Sequence, residues 1–309
     1  MKARAYCSSA NLGTGFDIAA VALDAFYDEV EINLSEGKGD IKTEFSGPYS
    51  ENIPESENTA SLAAKLLLML SNKSYDVEIK VWKGIPLGLG LGSSGATAVA
   101  VAKLLSKALG LKIDEMRLAS IAGIAERAAA GSAHYDNVTA SLLGGLVVIY
   151  SFEPLRAMQF EPKANFVLGI PDVKTPAQKT AIMRAITPKN ITLDSLVQSL
   201  AKMAAFMIGL YSNSLELIGM AMEDKVVEPA RAVVIPAYDR IKKFVKEAGA
   251  YGFTISGAGP SVIALADEKQ ANSVAKAMKE AYDYEGINAK VIISRPAKAC
   301  SVDYSDKDH

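Results

Sequence analysis

Alternation of apolar and polar residues predicts β-strands in the first part of the chain. Such runs occur at Arg4–Ser8, Glu29–Leu34, Ile41–Phe45 and Val77–Val81, and a period of two is typical of a strand with one buried face. The apolar spacing changes to that of a helix at Thr59–Leu70, between the last two runs. The N-terminal half is therefore predicted to mix helices and strands, as in an α+β fold.

The middle of the chain carries two longer helical patterns, followed by two short apolar runs. We predict helices at Ser94–Leu109, which Gly110 closes, and at Asp114–Ala130, because glycine commonly ends a helix. The runs Gly145–Tyr150 and Phe166–Pro171 are predicted to be strands. These elements continue the mixed pattern of the first part.

The last third of the chain alternates helices and strands in an informative order. Helix, strand, strand, helix and strand follow one another from Tyr238 to Ser294, which matches part of a split βαβ layer. A length of 309 residues suggests about two domains, and we place them at 1–160 and 161–309. The predicted helices are Leu193–Leu210, Ser214–Met222, Tyr238–Ala248 and Ala271–Tyr282, and the predicted strands are 252–256, 261–266 and 289–294.

Composition narrows the class of partner. Hydrophobic residues make up 50% of the chain, enough for a sizeable core, and the net charge is −2 with no run rich in lysine or arginine. Without a basic surface the chain lacks the electrostatic attraction for nucleic acid or anionic membranes. We therefore expect small molecules as partners, and the sequence leaves a homodimer open.

The cysteines and the apolar segments predict where the protein is found. Cys7 and Cys300 are too few for a disulfide framework and lack the spacing of metal ligands. The N-terminus has early positive charges with no apolar segment behind them, so no signal peptide is expected. The most apolar segment, Ala96–Leu109, is interrupted by Lys103 and Lys107, well short of the ~20 residues that span a membrane. We expect a cytoplasmic protein without a membrane partner.

A glycine-rich loop between a predicted strand and a predicted helix indicates an anion site. In "PLGLGLGSSGATAVA", residues 86–100, glycines alternate before a helix that begins at Ser93 or Ser94. Glycine lets backbone amides approach a ligand, and the unpaired amides and dipole of a helix N-terminus attract anions. A serine could simply cap the helix, but capping does not account for three glycines. We therefore predict phosphate binding.

The loop differs from the common nucleotide-binding patterns and resembles another. It has neither the Gly-Lys-Ser/Thr end of a Walker A loop nor G-x-G-x-x-G spacing, and the H-R-D and D-F-G partners of protein kinases are absent from the chain. Instead "PLGLGLGSSG" resembles the second motif of the GHMP kinases, P-x-x-x-G-L-G-S-S-A, with Gly95 in place of alanine. "SGAGPS", residues 256–261, resembles their third motif, and "SSANLGTGFD", residues 8–17, resembles the first motif in the form that homoserine kinases use.

Two further segments narrow the resemblance to the homoserine kinases. "HYDNVTASLLGGLV", residues 134–147, and "DKVVEPARAVVIP", residues 224–236, are similar to stretches of that family, so the correspondence runs from residue 8 to about 265. The resemblance implies a two-domain α+β fold, with an N-terminal domain of the ribosomal S5-like domain 2 type and a C-terminal ferredoxin-like split βαβ domain. It also implies an ATP-dependent small-molecule kinase that phosphorylates the side-chain hydroxyl of L-homoserine to O-phospho-L-homoserine in threonine biosynthesis.

The resemblance implies an ATP site around the loop and a Mg²⁺ site beside it, because phosphoryl transfer from ATP requires the phosphate charge to be screened. Ser94 and Glu126 match the residues that hold the metal in the family. Taken alone, Glu126 could be a solvated helix residue paired with a neighbouring base. The residues implied at ATP are Pro86, Leu87, Gly88, Leu89, Gly90, Leu91, Gly92, Ser93, Ser94 and Gly95 of the loop, with Asn58, Lys83, Gly257 and Gly259.

Homoserine is a zwitterion, so its site needs an anion for the ammonium and cations for the carboxylate. By resemblance, Asn11 and Asp17 lie at the amino end, and Arg184 and Arg231 lie at the carboxylate, which a planar guanidinium can bind with two hydrogen bonds. The residues implied in homoserine binding are Asn11, Asp17, His134, Asn137, Thr180, Arg184 and Arg231, and those implied in catalysis are Ser94, Glu126, Asn137 and Arg184.

Several of these residues have a purely structural alternative. Asn11 and Asp17 could be turn residues beside glycines, His134 could be a buried side chain with its hydrogen bonds satisfied, and Arg231 could be a surface charge. The segment "KTAIMRAITP", residues 179–188, keeps the threonine, arginine and proline of the family pattern S-T-x-x-A-R-x-x-L-P but loses its serine and alanine. This departure leaves the geometry around the arginine open.

The resemblance also bears on mechanism. Some members of the superfamily use an aspartate as a base, whereas homoserine kinases look to rely on placement and charge stabilisation, so Asp17 is expected to bind substrate. The competing interpretations are a shikimate- or mevalonate-type GHMP kinase and a non-catalytic nucleotide or metabolite sensor. The amino-acid clamp and "SSANLGTGFD" argue against the first, and the intact loop, Glu126 and both arginines argue against the second.

Overall fold

Two β-sheets and ten helices organise the part of the chain that the structure describes, a computed structural model covering residues 1–51, 53–54, 57–130, 133–176 and 179–303. The strands are β1 Lys2–Ala10, β2 Ala19–Glu36, β3 Ile41–Ser46, β4 Tyr75–Lys83, β5 Leu146–Phe152, β6 Leu155–Phe160, β7 Asn165–Pro171, β8 Gly252–Ile255, β9 Val262–Ala266, β10 Ala289–Ser294 and β11 Ser301–Asp303. The helices are α1 Thr59–Ser71, α2 Ser93–Ala108, α3 Glu115–Ala130, α4 Tyr135–Leu143, α5 Lys179–Ile186, α6 Leu193–Ser212, α7 Leu215–Ala221, α8 Glu228–Ala232, α9 Tyr238–Glu247 and α10 Ala271–Tyr284.

The first sheet has seven strands and is arranged around the long strand β2. Its main order is β11-β1-β2-β4-β3, and β5 extends it by pairing with both β2 and β6. The pair β3 and β4 is parallel, with α1 as the connection between the two strands. Helix α2 packs against β1 and β2, and its buried alanines, among them Ala96, Ala98 and Ala100, let its backbone approach the sheet closely. This packing fixes the start of α2, where the glycine-rich loop ends.

The second sheet has four antiparallel strands in the order β10-β7-β9-β8. Helices α9 and α10 pack together and cover it with apolar side chains that include Ile241, Val245, Val274 and Met278. This strand order is that of a ferredoxin-like split βαβ domain. The mixed α+β architecture expected from the sequence, with a ferredoxin-like sheet in its C-terminal part, is therefore confirmed.

The predicted helices and strands all appear, but several elements were missed. The structure adds α4, α5, α8, β6 and β11, and β2 begins at Ala19, ten residues before the run predicted at Glu29. Strand β11 pairs with β1, so the chain returns to the first sheet near its C-terminus. The division at residue 160 remains a prediction, and β6 ends at Phe160 while β7 begins at Asn165.

Both cysteines lie in the apolar interior as free thiols. Cys7 and Cys300 are buried and unbridged, and burial raises the pKa of each thiol to about 12. At neutral pH they therefore stay protonated and behave as small apolar side chains.

Helix α6 carries several exposed apolar side chains. By length and composition alone this one helix would be able to cross a membrane, and 17% of its apolar window is buried in the protein. Phe206 and Leu210 face the core, whereas Leu193, Leu200 and Ile208 are exposed. A single helix of this kind is weak support for a membrane span, so the expected lack of a membrane partner stays a prediction.

Candidate active site

The glycine-rich loop joins β4 to α2 and adopts a backbone that only glycine takes easily. Gly88, Gly90 and Gly92 have φ angles of +70°, +80° and +66°, in the left-handed region that costs other residues about 1–2 kcal/mol. Gly92 is the N-cap of α2. The alternation of glycines along the sequence is thus an alternation of left-handed backbone that leads into a helix N-terminus.

The other two glycine-rich motifs pack against this loop. The amide of Ser8 donates to the Leu91 carbonyl at 3.1 Å, and the Ser256 hydroxyl donates to the Gly90 carbonyl at 2.8 Å. A Cβ atom on Gly90 would lie 2.2 Å from the Ser256 carbonyl oxygen. Three segments that are distant in sequence therefore form one continuous wall.

The two serines that follow the glycines do not cap the helix. Ser93 donates to the Ile85 carbonyl at 3.1 Å and Ser94 donates to Glu126 Oε1 at 2.6 Å. The N-cap position is Gly92, and none of the described side chains forms a capping hydrogen bond with the first turn of α2. The capping alternative is therefore wrong, and the end of α2 that faces the cavity has no side-chain cap.

A buried ion pair supports the loop from below. Lys83 contacts Asp28, the Ser93 carbonyl at 3.2 Å and the Thr97 hydroxyl at 2.7 Å. Asp28 also accepts from the amides of Gly84 and Ile85, each at 3.1 Å. Burial lowers the pKa of Lys83, and the Asp28 carboxylate opposes that shift. The pair ties the beginning of the loop to the first turn of α2, and no sequence motif pointed to Asp28.

The three glycine-rich motifs enclose a cavity of about 160 Å³. The predicted residues that line it are Asn11, Asp17, Pro86, Leu87, Gly88, Gly90, Leu91, Gly92, Ser93, Ser94, Glu126, His134, Asn137, Thr180, Arg184, Arg231 and Gly257. Lys179 and Ala258 complete the lining and were not predicted.

Five predicted nucleotide residues lie outside that lining: Asn58, Lys83, Leu89, Gly95 and Gly259. Asn58 caps α1 by accepting from the Ser61 amide at 2.9 Å, and it donates to Thr43 at 3.0 Å. Lys83 is only 2% exposed, because its ammonium is held by Asp28 beneath the loop. The predicted place of Lys83 beside the nucleotide stays a prediction, and its ammonium points to Asp28 and not into the cavity.

Glu126 presents an oxygen that fits a bound cation. It is 2% exposed, which excludes the solvated-helix alternative, and its Oε1 accepts from Ser94 and lies 3.4 Å from His134 Nδ1. Its Oε2 atom is buried with no hydrogen-bond partner among the described residues, a costly arrangement for a carboxylate. No group of three or more His, Cys, Asp or Glu side chains that could hold a metal ion occurs among the described residues. A Mg²⁺ ion at Glu126 would therefore need other oxygen ligands, such as water and phosphate oxygens.

Asp17 and Arg184 form an ion pair in the cavity. Arg184 on α5 donates to both carboxylate oxygens of Asp17, at 2.9 and 3.1 Å, so the altered segment around Arg184 still brings it into the cavity. Asn11 accepts from the Asp17 amide at 2.9 Å and donates to the Gly257 carbonyl at 3.1 Å. Asn11 and Asp17 both have left-handed backbone, with φ of 59° and 60°. They are turn residues and cavity residues at once.

Arg231 is a buried cation in the lining of the same cavity. It is 4% exposed, so the surface-charge alternative is wrong. Its Nε donates to the Thr187 hydroxyl at 3.1 Å and its Nη1 donates to the Gly257 carbonyl at 3.4 Å. Burial lowers the pKa of Arg231, and the charge of Asp17 opposes that shift. Thr187 stands where the family pattern has leucine, and that departure was the one sequence signal for this partner.

The start of α4 supplies the remaining polar groups. Asn137 Oδ1 accepts from the Ser8 hydroxyl at 2.9 Å, and a Cβ atom on Gly92 would lie 2.9 Å from the same oxygen. Burial lowers the pKa of His134, but the hydrogen bond and charge of Glu126 outweigh it and leave the pKa raised. Burial, with the charge of Asp17, raises the pKa of the neighbouring Asp136 to about 7. Sequence reasoning missed Ser8 and Asp136.

Comparison with known proteins places this fold and cavity in one class. Residues 58–145 match the family model "GHMP kinases N terminal domain", and residues 206–283 match "GHMP kinases C terminal". The chain belongs to the GHMP kinase family.

Full-length relatives identify the branch. The chain is 44% identical to the homoserine kinase of Pyrobaculum islandicum over 94% of this chain and 96% of that protein, and 41% identical to that of Aeropyrum pernix over 97% of each. The crystal structure of homoserine kinase from Cytophaga hutchinsonii superposes with a TM-score of 0.90 at 34% identity, covering 97% of this chain and 96% of that one. Within the GHMP kinases, the chain therefore belongs to the homoserine kinases.

Proposed function

We propose that the protein transfers the γ-phosphoryl group of ATP to the side-chain hydroxyl of L-homoserine, giving O-phospho-L-homoserine and ADP in threonine biosynthesis. The observation that carries this proposal is a carboxylate and two guanidinium groups, Asp17, Arg184 and Arg231, in the cavity that the glycine-rich loop lines. An amino-acid zwitterion needs this charge set, and a phosphate chain needs the loop.

The zwitterion replaces an internal ion pair when it binds. In the structure Arg184 forms an ion pair with Asp17 directly. The substrate ammonium takes the Asp17 carboxylate, and the substrate carboxylate takes Arg184 together with Arg231. Thr187 and the Gly257 carbonyl already hold the Arg231 guanidinium in place, which lowers the cost of ordering it.

We propose ATP and Mg²⁺ at the loop, with Ser94 and Glu126 as the protein's metal-holding residues. Their support is the 2.6 Å contact between them and the unpartnered, buried Oε2 of Glu126. Bound there, Mg²⁺ supplies charge screening and alignment for the phosphates. The left-handed glycines and the uncapped start of α2 direct backbone amides toward the same phosphates.

The reaction as proposed uses no carboxylate base. Asp17 is paired with Arg184 and receives the ammonium, and Asn137, held by Ser8, orients the hydroxyl side of the substrate. A loose phosphoryl transition state needs alignment and charge stabilisation more than proton abstraction.

Asp17→Asn separates binding from base catalysis. We expect the KM for homoserine to rise roughly tenfold, because one charge-assisted contact of the ammonium is weakened, while kcat changes less than about threefold. Steady-state kinetics with saturating Mg-ATP make the measurement. A large fall in kcat at unchanged homoserine affinity would instead make Asp17 the base.

The acceptor is tested by measuring ADP formation from Mg-ATP with homoserine, shikimate, mevalonate and galactose in parallel. Of the four acceptors we expect only homoserine to support ADP formation, and no ADP formation with homoserine would overturn the proposal. Turnover with mevalonate or shikimate would select the alternative kinase. A non-catalytic sensor would show ligand-stabilised melting with no ADP formed with any of the four.

We also propose a cytoplasmic homodimer with no nucleic-acid or membrane partner. The support for the dimer is the apolar surface of α6, where Leu193, Leu200 and Ile208 are exposed, since a second copy can cover such a face. Sedimentation of the purified chain should give twice the monomer mass. A single monomer species at micromolar concentration would contradict the dimer, and co-sedimentation with anionic vesicles would contradict the absence of a membrane partner.

A further inference from the structure

Lys179 is the cavity cation to which no motif assigned a role. It is the first residue of α5, partly buried, and its ammonium donates to the carbonyl oxygen of Gly259. Within the described residues it forms no salt bridge, whereas Arg184 on the same helix is paired with Asp17. A desolvated ammonium beside a neutral carbonyl lacks the counter-charge that a buried cation normally has.

The position of Lys179 is next to the glycine-rich loop. Gly259 belongs to the turn that packs on that loop, and a Cβ atom on Gly90 would lie 2.9 Å from the Gly259 carbonyl oxygen that Lys179 contacts. The segment before α5 lies on the loop as well, because a Cβ atom on Gly88 would lie 2.8 Å from Thr175 Oγ1. One carbonyl group therefore separates the ammonium from Gly90.

The surroundings of the ammonium favour an anionic ligand. Burial, together with the positive charge of Arg231, lowers the pKa of Lys179 to about 8, and none of the described carboxylates forms a salt bridge with its ammonium. The two arginines of the cavity lining have side-chain partners. Arg184 donates to Asp17, and Arg231 donates to Thr187. Lys179 thus lies beside the glycine-rich loop, where we propose the phosphates of ATP.

We propose that Lys179 is a catalytic residue whose ammonium leaves the Gly259 carbonyl and binds the γ-phosphoryl group of ATP during transfer. This inference rests on the proposed kinase function. In the step, the bond from Pγ to the β,γ-bridging oxygen breaks and its electron pair leaves with ADP, while a bond from the acceptor hydroxyl oxygen to Pγ forms. The hydroxyl proton passes to a phosphoryl oxygen and then to water. Lys179 stays protonated and neutralises charge on the equatorial oxygens.

The test compares Lys179→Met, which removes the charge at similar length, with Lys179→Arg, which keeps it. Lys174→Met is the matched control, since Lys174 is an exposed lysine of the same segment. Calorimetry with Mg²⁺ measures binding of ADP and of the non-hydrolysable analogue adenylyl imidodiphosphate, and steady-state assays measure kcat and both KM values. Thermal melting of each variant reports folding.

Lys179→Met should weaken binding of the triphosphate analogue about 5- to 20-fold and change the affinity for ADP less than about twofold, because only the third phosphate contacts the ammonium. It should lower kcat by roughly 30-fold or more with the homoserine KM nearly unchanged. Lys179→Arg should recover most of the analogue affinity, and the control should match the native protein. If Lys179→Met melts early, Lys179→Gln replaces it.

Three results for Lys179→Met would each overturn the assignment. They are equal weakening of the binding of ADP and of the analogue, a rise in the homoserine KM with no other change, and a kcat within twofold of the native value. The two proposals fail separately. If no acceptor is phosphorylated, the kinase function fails, while the difference between ADP and the analogue still reports on the contact of Lys179 with the third phosphate.

Discussion

The two walls of the cavity are built in different ways. The phosphate wall is backbone: three left-handed glycines within five residues, Gly88, Gly90 and Gly92, lead into one helix N-terminus. The acceptor wall is made of side chains from separate segments, among them Asp17 and Arg231, whose distance in the sequence is more than two hundred residues. A substitution that adds atoms to the backbone wall therefore disturbs its packing, whereas a substitution in the side-chain wall removes a single contact.

The walls also differ in charge. The phosphate wall offers amides and one uncapped helix end, with its ion pair of Lys83 and Asp28 hidden beneath it. The acceptor wall exposes paired charges, Asp17 with Arg184, to the cavity itself. The first wall is therefore suited to any nucleoside triphosphate, and the second is suited to selecting one zwitterionic acceptor.

The largest effect is expected from Gly90→Ala. A Cβ atom there would lie 2.2 Å from the Ser256 carbonyl, so the contact between loop and turn must open, and kcat/KM should fall roughly 100-fold or more. Gly110→Ala is the control, because Gly110 has φ of +68° and a Cβ atom on it would meet no described atom within 4 Å. It should lose only about 1–2 kcal/mol of stability from backbone strain. Equal kinetics in the two variants would contradict the difference between the walls.

Arg231→Ala should raise the homoserine KM about 10- to 150-fold by removing a charge-assisted contact worth about 1.5–3 kcal/mol. The KM for ATP should hardly change, because Arg231 lies on the acceptor wall. Arg240→Ala, which removes a partly exposed arginine paired with Glu285, serves as the control. An unchanged homoserine KM would remove Arg231 from the carboxylate site.

Glu126→Gln tests whether Glu126, which belongs to neither wall, binds Mg²⁺. Its amide keeps the shape but weakens a hard-cation ligand, so half-saturation by Mg²⁺ should shift roughly tenfold higher, with part of kcat restored at high Mg²⁺. Glu115→Gln on the same helix is exposed and should leave the Mg²⁺ curve in place. Activity against free Mg²⁺ at fixed ATP is the measurement, and coincident curves would argue against metal binding by Glu126.

The smallest effect is expected from Thr187→Val. The variant keeps the shape but removes the oxygen that accepts from Arg231 Nε, at a cost of about 0.5–1.5 kcal/mol. The homoserine KM should therefore rise about two- to twelvefold, with ATP binding unaffected. Thr187→Ser restores the hydroxyl and should restore the KM. A serine variant as weak as the valine variant would show that the methyl group, and not the hydrogen bond, positions the arginine.

Local patterns were enough for the phosphate wall. Gly88, Gly90 and Gly92 lie close together in the sequence, and their conformational freedom and the helix that follows are local properties. The strands and helices with clear periodicity were found for the same reason, whereas α5 and β11 were missed because each is short. Resemblance placed Lys83 beside the nucleotide, and the sequence carries no sign that Asp28, fifty-five residues away, holds its ammonium beneath the loop.

By itself the sequence determined the family, the glycine-rich loop before a helix and the charged residues proposed to meet a zwitterion, because these depend on local backbone chemistry and on residue type. Only the tertiary structure decided which charges face one another: Asp17 with Arg184, Arg231 with Thr187, Ser94 with Glu126, and Lys179 at the Gly259 carbonyl. Electrostatic pairing acts over a few ångströms in space, and packing of the two sheets, not distance along the chain, brings these groups that close.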